Sequence, residues 1–486
     1  MCFPKSAPIA QGIEQRFPKP CVVGSNPTGG ADVLDLVREL SGKSDQRVRA
    51  ALTSQSDLSP TCHNDDHAVS YDQTLSKRRD TMTQNTDVVV IGGGYAGVMA
   101  ANRLTQRDDV TVTLINPRPN FVERIRLHQL VGGSDDAVVD YRDVLAAGIR
   151  LVVDTVIRID ASKRSVMLTT GGRVDYDYLI YAVGSRSADP DVPGAAEFAY
   201  PIASLEAAER LRSVVNAAPP TAAVTVVGAG PTGIETSAEL AEAGRIVTLV
   251  CGDVLGPYLH PQGRRSVARR LAKLGVTVLD GPEAKVTAVR RDAVELSDGR
   301  ELQSRVTIWT AGFGVPDLAY RSGLSTDALG RLLTDETLTS VDDVRIVAAG
   351  DSAAPSGLPF RMSCQAAGPL GAQAADTVLS RIADEHPAPV AMGFVGQCIS
   401  LGRRAGIFQF AHSDDTARSL YLGGRAGAKL KQFVCWGTVK QLAIEASMPG
   451  SFFVPTWATD GKRQEMLHAK RDEALAGQPP RRGLKR

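Results

Sequence analysis

The sequence predicts an α/β fold of two parallel-sheet nucleotide-binding units, completed by a smaller α+β region at the C-terminal end. Three observations predict it. The spacing G-x-G-x-x-G occurs twice, at Gly92, Gly94 and Gly97 and again at Gly228, Gly230 and Gly233. Each copy follows a short strand-like run, Val88 to Ile91, which is continuously apolar as a parallel strand buried on both faces requires, and Ala223 to Val227. From about residue 387 the pattern stops and shorter strand signals precede one long helical stretch. A single glycine motif is weak, because a glycine-rich turn between strand and helix needs no ligand. Two complete strand-glycine-helix units in one chain are far more specific.

The three glycines have separate tasks. One lets the chain turn sharply, one lets the backbone touch a pyrophosphate, and one lets the helix pack tightly on the sheet. The helix N-terminus then offers free N–H groups and a partial positive charge to the phosphates. Two such cradles imply two dinucleotides, and the natural pairing is a flavin with a nicotinamide.

At 486 residues the chain is long enough for two or three domains with substantial cores. Its formal net charge of +1 gives no electrostatic argument for nucleic acid. The seven cysteines (2, 21, 62, 251, 364, 398 and 435) include no C-x-x-C and no zinc-type spacing, so no metal site is expected and the thiols read as reduced and intracellular. Residues 1–81 lack any long periodic apolar segment, and the start has no apolar core of the kind a secretory signal needs. The run Gly24-Ser-Asn-Pro is what a common tRNA T-arm sequence gives when translated in one frame. This stretch is therefore expected to be a mis-assigned reading frame with Met82 as the true start, or else a disordered extension or presequence.

From Met82 the elements follow in order. A second strand is expected at 110–116, ending in Asn116, where this fold usually places an acid that accepts a hydrogen bond from a ribose hydroxyl. Strand-like alternation follows at 149–154, 165–170 and 173–184, the last closing on the small residues Ala182 and Gly184. A linker helix is expected at 205–216. After the second motif, the strand at 246–250 ends at Cys251-Gly252-Asp253. If Asp253 reaches the ribose, NADH is preferred. If it points away, NADPH is permitted, with Arg264 and Arg265 as candidate phosphate partners. Residues 276–302 alternate around a hairpin turn at Asp298-Gly299. The run 306–314, with Gly312, echoes the strand that ended at Gly184. The run 344–351 ends in Gly350-Asp351, and a helix starting near Gln365 would aim its positive end at a ring that turns anionic on reduction.

The ordered set G92-x-G-x-x-G97, Y176-D-Y-L-I-Y-A-V-G184, G228-x-G-x-x-G-x-E235, W309-T-A-G312 and A348-A-G-D351 resembles the two-dinucleotide-binding-domain flavoproteins, the pyridine nucleotide-disulfide oxidoreductase superfamily. Within it the set is most similar to type II NADH:quinone oxidoreductases and apoptosis-inducing-factor-like flavoproteins. The resemblance covers about residues 85–455. It implies an FAD-binding domain at 82–200 and 317–385 with an NAD(P)-binding domain inserted at 201–316. Residues 386–470 follow as an interface or membrane-surface region, and 471–486 as a disordered tail. FAD would sit on the first motif, on Asn116, Ala182, Gly184, Gly350, Asp351 and Gln365, with Val156 as a backbone contact to adenine. NADH or NADPH would sit on the second motif with Cys251 and Gly312. Glu235 would orient the nicotinamide end, and Gln365 with the helix behind it would stabilise the reduced flavin. There are departures. Asn116 replaces the usual acid, Cys251 stands where NADH-specific members have Glu, and residues 364–369 only loosely match the quinone-site pattern. The region 119–130 lacks the redox cysteine pair of flavin disulfide reductases, which argues against thiol exchange. His128 in that region is either a proton relay or a packing histidine.

The implied activity is an FAD-dependent NAD(P)H dehydrogenase passing electrons to a quinone or another small acceptor. Two alternatives stand beside it: a reductase of a ferredoxin- or rubredoxin-type carrier protein, and a slow-turnover redox-sensing FAD/NAD-binding protein. Between 418 and 440 lie Arg418, Arg425, Lys429, Lys431 and Lys440 and no acid. Near an anionic membrane surface each such charge contributes about 1 kcal/mol. Leu430, Phe433, Val434, Trp436, Val439 and Leu442 supply apolar anchors. At 100° per residue, however, Lys431 is out of phase with Lys429 and Lys440. A cytoplasmic location, peripheral on the inner face of the membrane, fits this segment; so does a cap on the first unit or a homodimer interface. No apolar run reaches transmembrane length.

Overall fold

The computed structural model describes residues 85–455 and 459–476, so the expectation for residues 1–81 lies outside the described residues. The first unit is a parallel five-stranded sheet. Thr86–Ile91 (β1) pairs with Val110–Asn116 (β2) on one side and Tyr178–Tyr181 on the other, Arg150–Val153 (β3) extends the β2 side, and Ile346–Ala348 returns from far along the chain to flank Tyr178–Tyr181 (β4). Val88 and Val90 are buried on one face of β1 and Val89 and Ile91 on the other, which is why 88–91 is continuously apolar rather than alternating.

The second unit repeats the plan. Its strands Ala199–Pro201 (β5), Ala223–Val227 (β6), Ile246–Val250 (β7), Thr277–Leu279 (β8) and Val306–Trp309 (β9) lie in the order β5-β9-β6-β7-β8, all parallel. With Ile346–Ala348 as β10, the first sheet reads β10-β4-β1-β2-β3, and the glycine motif leaves the central strand in both sheets. The first unit is thus interrupted by the second. A two-stranded ribbon, Arg186–Ser187 against Phe313–Gly314, joins the two crossings.

Tyr95–Leu104 (α1) follows the first motif and Leu127–Gly132 (α2) follows β2. The linker helix Leu205–Ala217 (α3) is capped by Ser204, whose hydroxyl accepts from Ala207 N. Pro231–Glu242 (α4) follows the second motif, and Pro261–Lys273 (α5) packs on β8. Cys364–Ile382 (α6) packs on α1 through small side chains, Ala366, Gly371, Ala374 and Ala375. The approach is so close that a Cβ on Gly371 would stand 2.3 Å from Ala96 O.

Beyond the two units, Gly396–Ser400 (β11), Gly406–Ala411 (β12) and Ala417–Gly423 (β13) form an antiparallel sheet, followed by Gly424–Ser447 (α7). Two side chains of α1 hold α7: Asn102 Nδ2 donates to Leu442 O (3.0 Å), and Arg103 Nη1 pairs with the buried Glu445 (3.2 Å). The last helix, Gly461–Ala476 (α8), extends past residue 471, where a disordered tail was expected. Arg463 anchors it with a two-bond contact to Glu336, both bonds 2.8 Å, under the Phe360 ring. No helix among the described residues is long and apolar enough to cross a membrane.

Candidate active site

The two glycine turns are alike in detail. Gly92 and Gly228 have φ of +104° and +129°, the left-handed side that favours glycine. A Cβ on Gly92 would meet Ala182 O at 2.3 Å, and one on Gly228 would meet Thr310 Oγ1 at 2.4 Å. Gly97 and Gly233 would press a Cβ within 1.8 and 2.0 Å of the carbonyls of Gly92 and Gly228. Only the middle glycines differ. Gly94 and Gly230 have nothing within 4 Å of an added Cβ, and each is the N-cap of its helix with no side chain bonded to the first turn. By contrast α3 and α6 are capped by Ser204 and Ser363. Two helix N-termini therefore present unused N–H groups to open space, as a pyrophosphate requires. The residues fit a dinucleotide at both places.

Several residues of the expected first site converge on this turn. Asn116 is buried, its Oδ1 accepting from Gly93 N (3.0 Å) and its Nδ2 donating to Arg118 O (2.9 Å). It braces the turn, so the ribose contact expected of it falls to whatever acceptor capacity Oδ1 retains. Tyr141 Oη closes the same turn by donating to Gly93 O (2.7 Å). Ala182 lies against Gly92, and Gly184 follows with φ +68°. Gly350 (φ +69°) lets its turn approach the Ala96 side chain. Next to it, Asp351 accepts from Ser185 Oγ (2.7 Å) and Ser363 N (3.2 Å). Val156 is buried at the start of the strand Val156–Asp160. The Tyr95 hydroxyl, inside the motif, is buried without a partner.

Gln365 corrects the sequence reading. It is the second residue of α6 as expected, but its amide, oriented to satisfy both ends, donates to Gly396 O and accepts from Val395 N, each at 2.9 Å. The side chain ties α6 to the strand leading into β11, and what remains for a cofactor is the helix end. In the second unit Cys251 is half-buried at the end of β7, its thiol pushed up to about 12 by burial and by the nearby Asp280 carboxylate. Gly312 adopts φ +81° below Ala188.

Glu235 has partners that the sequence did not reveal. Its carboxylate lies in a buried junction of four segments: Lys431 Nζ of α7 is 3.0 Å from Oε1, Ser400 N of β11 donates to the same oxygen (2.9 Å), and His128 Nδ1 of α2 is 3.6 Å from Oε2. His128 Nε2 meets Ser400 Oγ at 3.0 Å. All four residues are buried. Burial alone would raise the Glu235 pKa, but Lys431, His128 and the Ser400 N–H outweigh it and hold the carboxyl below its usual range. Burial opposes the charge on Lys431 as well, and Glu235 overrides it and raises the ammonium pKa. Burial wins only at His128, whose pKa falls to about 4, so the ring is neutral at pH 7.

Residues 86–375 match the pyridine nucleotide-disulphide oxidoreductase family. The chain belongs to that family. Among its relatives is an NADH dehydrogenase-like protein of Mycobacterium tuberculosis, 30% identical over 353 residues, which span 66% of this chain and 87% of the relative. A type II NADH:quinone oxidoreductase of the same organism is 28% identical over 348 residues, 62% of this chain and 74% of that one. Among solved structures, NDH2 from Plasmodium falciparum in complex with NADH aligns with a TM-score of 0.62 over 76% of this chain and 99% of its own, at 16% identity. The sulfide:quinone oxidoreductase of Aquifex aeolicus aligns with a TM-score of 0.63 at 19% identity, over 75% and 93%. These two share the fold. As a member of the family this chain is an oxidoreductase, yet Cys251, Cys364, Cys398 and Cys435 are all free thiols. Burial pushes Cys364 up to about 12 and Cys435 up to about 11. Sequence reasoning did not assign Lys431 or Ser400 to the site; the only trace of Lys431 was its phase, which set it on the opposite face of α7 from Lys429 and Lys440.

Proposed function

We propose that this chain is an FAD-dependent NADH dehydrogenase that delivers electrons to a quinone, with FAD on the first glycine cradle and NADH on the second. The observation that carries the reading is the repeated cradle: two uncapped helix N-termini, each behind a glycine open to space, in one chain of this family. A flavin bound there would take hydride from the nicotinamide and release two electrons to an acceptor. The protein's own part is to hold and position. Gly92, Gly94 and Gly97 with the α1 N-terminus would carry the flavin pyrophosphate, Ser185 and Asp351 its hydroxyls, and Gly228, Gly230 and Gly233 the second pyrophosphate.

Reducing a quinone takes two protons as well as two electrons, and Lys431 with Glu235 forms a buried proton-bearing pair at 3.0 Å. Lys431 holds a proton at Nζ against the Glu235 carboxylate, and neutral His128 lies 3.6 Å from Glu235 Oε2 with its Nε2 at 3.0 Å from Ser400 Oγ. The NAD side favours NADH, because Asp280 faces the end of β7 and Arg264 is turned to its own chain, Nη2 donating to Leu259 O. The exposed face of α7, with Lys429, Phe433, Trp436 and Lys440, suits contact with an anionic membrane surface. Phe433 and Trp436, with ring centroids 5.7 Å apart, favour that surface over an acidic carrier protein.

The test is direct. Purified protein should be yellow with stoichiometric FAD, be bleached rapidly by NADH in stopped flow, and be reoxidised by a quinone analogue faster than by ferredoxin. A preparation that takes up no FAD, or one reoxidised only by a carrier protein, would overturn the proposal.

A further inference from the structure

Arg124 belongs to neither cradle nor the Glu235 junction, yet it stands where three parts of the site meet. It lies in the short turn Arg124–Arg126 before α2. Its Nε donates to Ala203 O (3.2 Å) in the crossover to the second unit, and its Nη1 donates to Ser185 Oγ (3.0 Å) at the end of the first sheet. Ser185 Oγ donates onward to Asp351, and Nη1 itself is 4.0 Å from Asp351 Oδ2. A Cβ on Gly184 would come within 3.8 Å of Nη1. Two of the three guanidinium nitrogens are thus engaged, and Nη2 makes no hydrogen bond to a described residue.

The surroundings look contradictory at first. Desolvation dominates the electrostatics of this guanidinium and pulls its pKa down against the attraction of Asp351, which marks a group enclosed by protein. Yet 32% of its side-chain surface is accessible. The geometry combines the two: the Nε and Nη1 edge is held by protein groups, and the accessible surface lies on the remainder of the side chain. The Asp351 carboxylate is already bonded to Ser185 and to Ser363 N, at the N-terminus of α6, so it neutralises the far edge of Arg124 rather than Nη2.

We propose that Arg124 sets the electron affinity of the bound flavin, its Nη2 edge presenting positive charge to the ring. This rests on the reading that the first cradle holds FAD. Hydride brings two electrons and one proton, so a neutral ring gains one negative charge on reduction. A cation fixed beside the ring stabilises that charge, and the more so the less water lies between them.

The test is potentiometric titration of the FAD-loaded protein and of Arg124→Gln and Arg124→Lys, with sulfite binding as a second readout that also places negative charge on the ring. Arg124→Gln should weaken sulfite binding at least tenfold. Its midpoint potential should fall by about 30 mV for each tenfold loss of preference for the reduced ring. Arg124→Lys, which keeps the charge, should stay near the parent. An unchanged potential and sulfite affinity in Arg124→Gln would overturn the proposal. If Arg124→Gln loses FAD, Arg124→Lys decides: a parent-like potential supports a role for charge, and loss of FAD there too makes Arg124 a brace for Ser185 and Asp351 and overturns it. Failure of the parent protein to bind FAD would instead reject the underlying cofactor reading, and the two failures are distinct.

Discussion

Replacing Lys431 by Met leaves the Glu235 carboxylate buried without its cation. At 3.0 Å and an effective dielectric of about 20, the pair attracts by roughly 5 kcal/mol. Removing one partner of a buried pair typically costs about 3–5 kcal/mol. The carboxyl escapes part of this by taking a proton, which gives the effect a sign that changes with pH. In the parent the Glu235 pKa is lowered, so its contribution is present above the unfolded value and is lost as pH falls through the folded one. In Lys431→Met the folded pKa is raised, so the penalty is absent at low pH and grows as pH rises past the unfolded value. Denaturant unfolding at saturating FAD, for Lys431→Met, Glu235→Gln and the double variant, measures the cycle. The double variant should recover several kcal/mol relative to the sum of the singles. Additivity within about 0.5 kcal/mol, or a penalty that does not fall toward pH 5, would refute the pairing. In stopped flow, Lys431→Met should leave flavin reduction by NADH unchanged and slow reoxidation by quinone at least tenfold.

Other expectations follow from single residues. His128 is held neutral, with a folded pKa of about 4. The unfolded chain therefore binds more protons between about pH 6.5 and pH 4, and stability falls as pH falls through that window, by about 1.4 kcal/mol at pH 5.5; His128→Gln should flatten that part of the stability curve. Gly94→Ala meets no atom and sits at φ −85°, so the fold should survive while FAD affinity drops roughly 100-fold, as expected for losing a charge-assisted bond. Gly230→Ala should do the same to NADH alone, and Gly97→Ala, 1.8 Å from Gly92 O, should instead unfold the unit. Kinetics with the two nucleotides should favour NADH over NADPH, and Asp280→Asn should narrow the gap by up to about tenfold, or ~1.4 kcal/mol. On anionic vesicles, Lys429→Gln with Lys440→Gln should weaken binding by about 2 kcal/mol, roughly thirtyfold; binding insensitive to salt or to Trp436→Ser would place the contact elsewhere.

The cradles were legible because their logic is local. A continuous apolar strand, three glycines and a helix fall within about twenty residues, and the strand expected at 110–116 has those bounds. The strand Ala417–Gly423 was not legible, because it is an exposed edge strand and carries no buried alternation to read. Asn116 and Gln365 lie in the expected turn and helix, but the backbone partners of their side chains were not foreseen. Their amides serve backbone groups, Gly93 N in one case and Val395 N with Gly396 O in the other, and sequence spacing does not reveal which backbone groups lack partners. The junction was least legible of all. Ser400 meets Glu235 across 165 residues and His128 across 272, and only tertiary packing brings such residues together.

The one signal of that junction looked like a flaw. Lys431 spoils the amphipathic pattern of α7 if the helix is read as a surface element, because it shares a face with Gly427, Cys435, Leu442 and Glu445, all buried. A lysine on such a face needs a counter-charge, and Glu235 supplies it from the helix that follows the second glycine motif. Stability does not explain the pair, since two well-packed apolar side chains would serve as well or better. Nor does docking alone, because Asn102, Arg103 and Glu445 already bind α7 to the first unit. What apolar side chains could not provide is a proton-bearing ion pair held away from water where α2, α4, β11 and α7 meet.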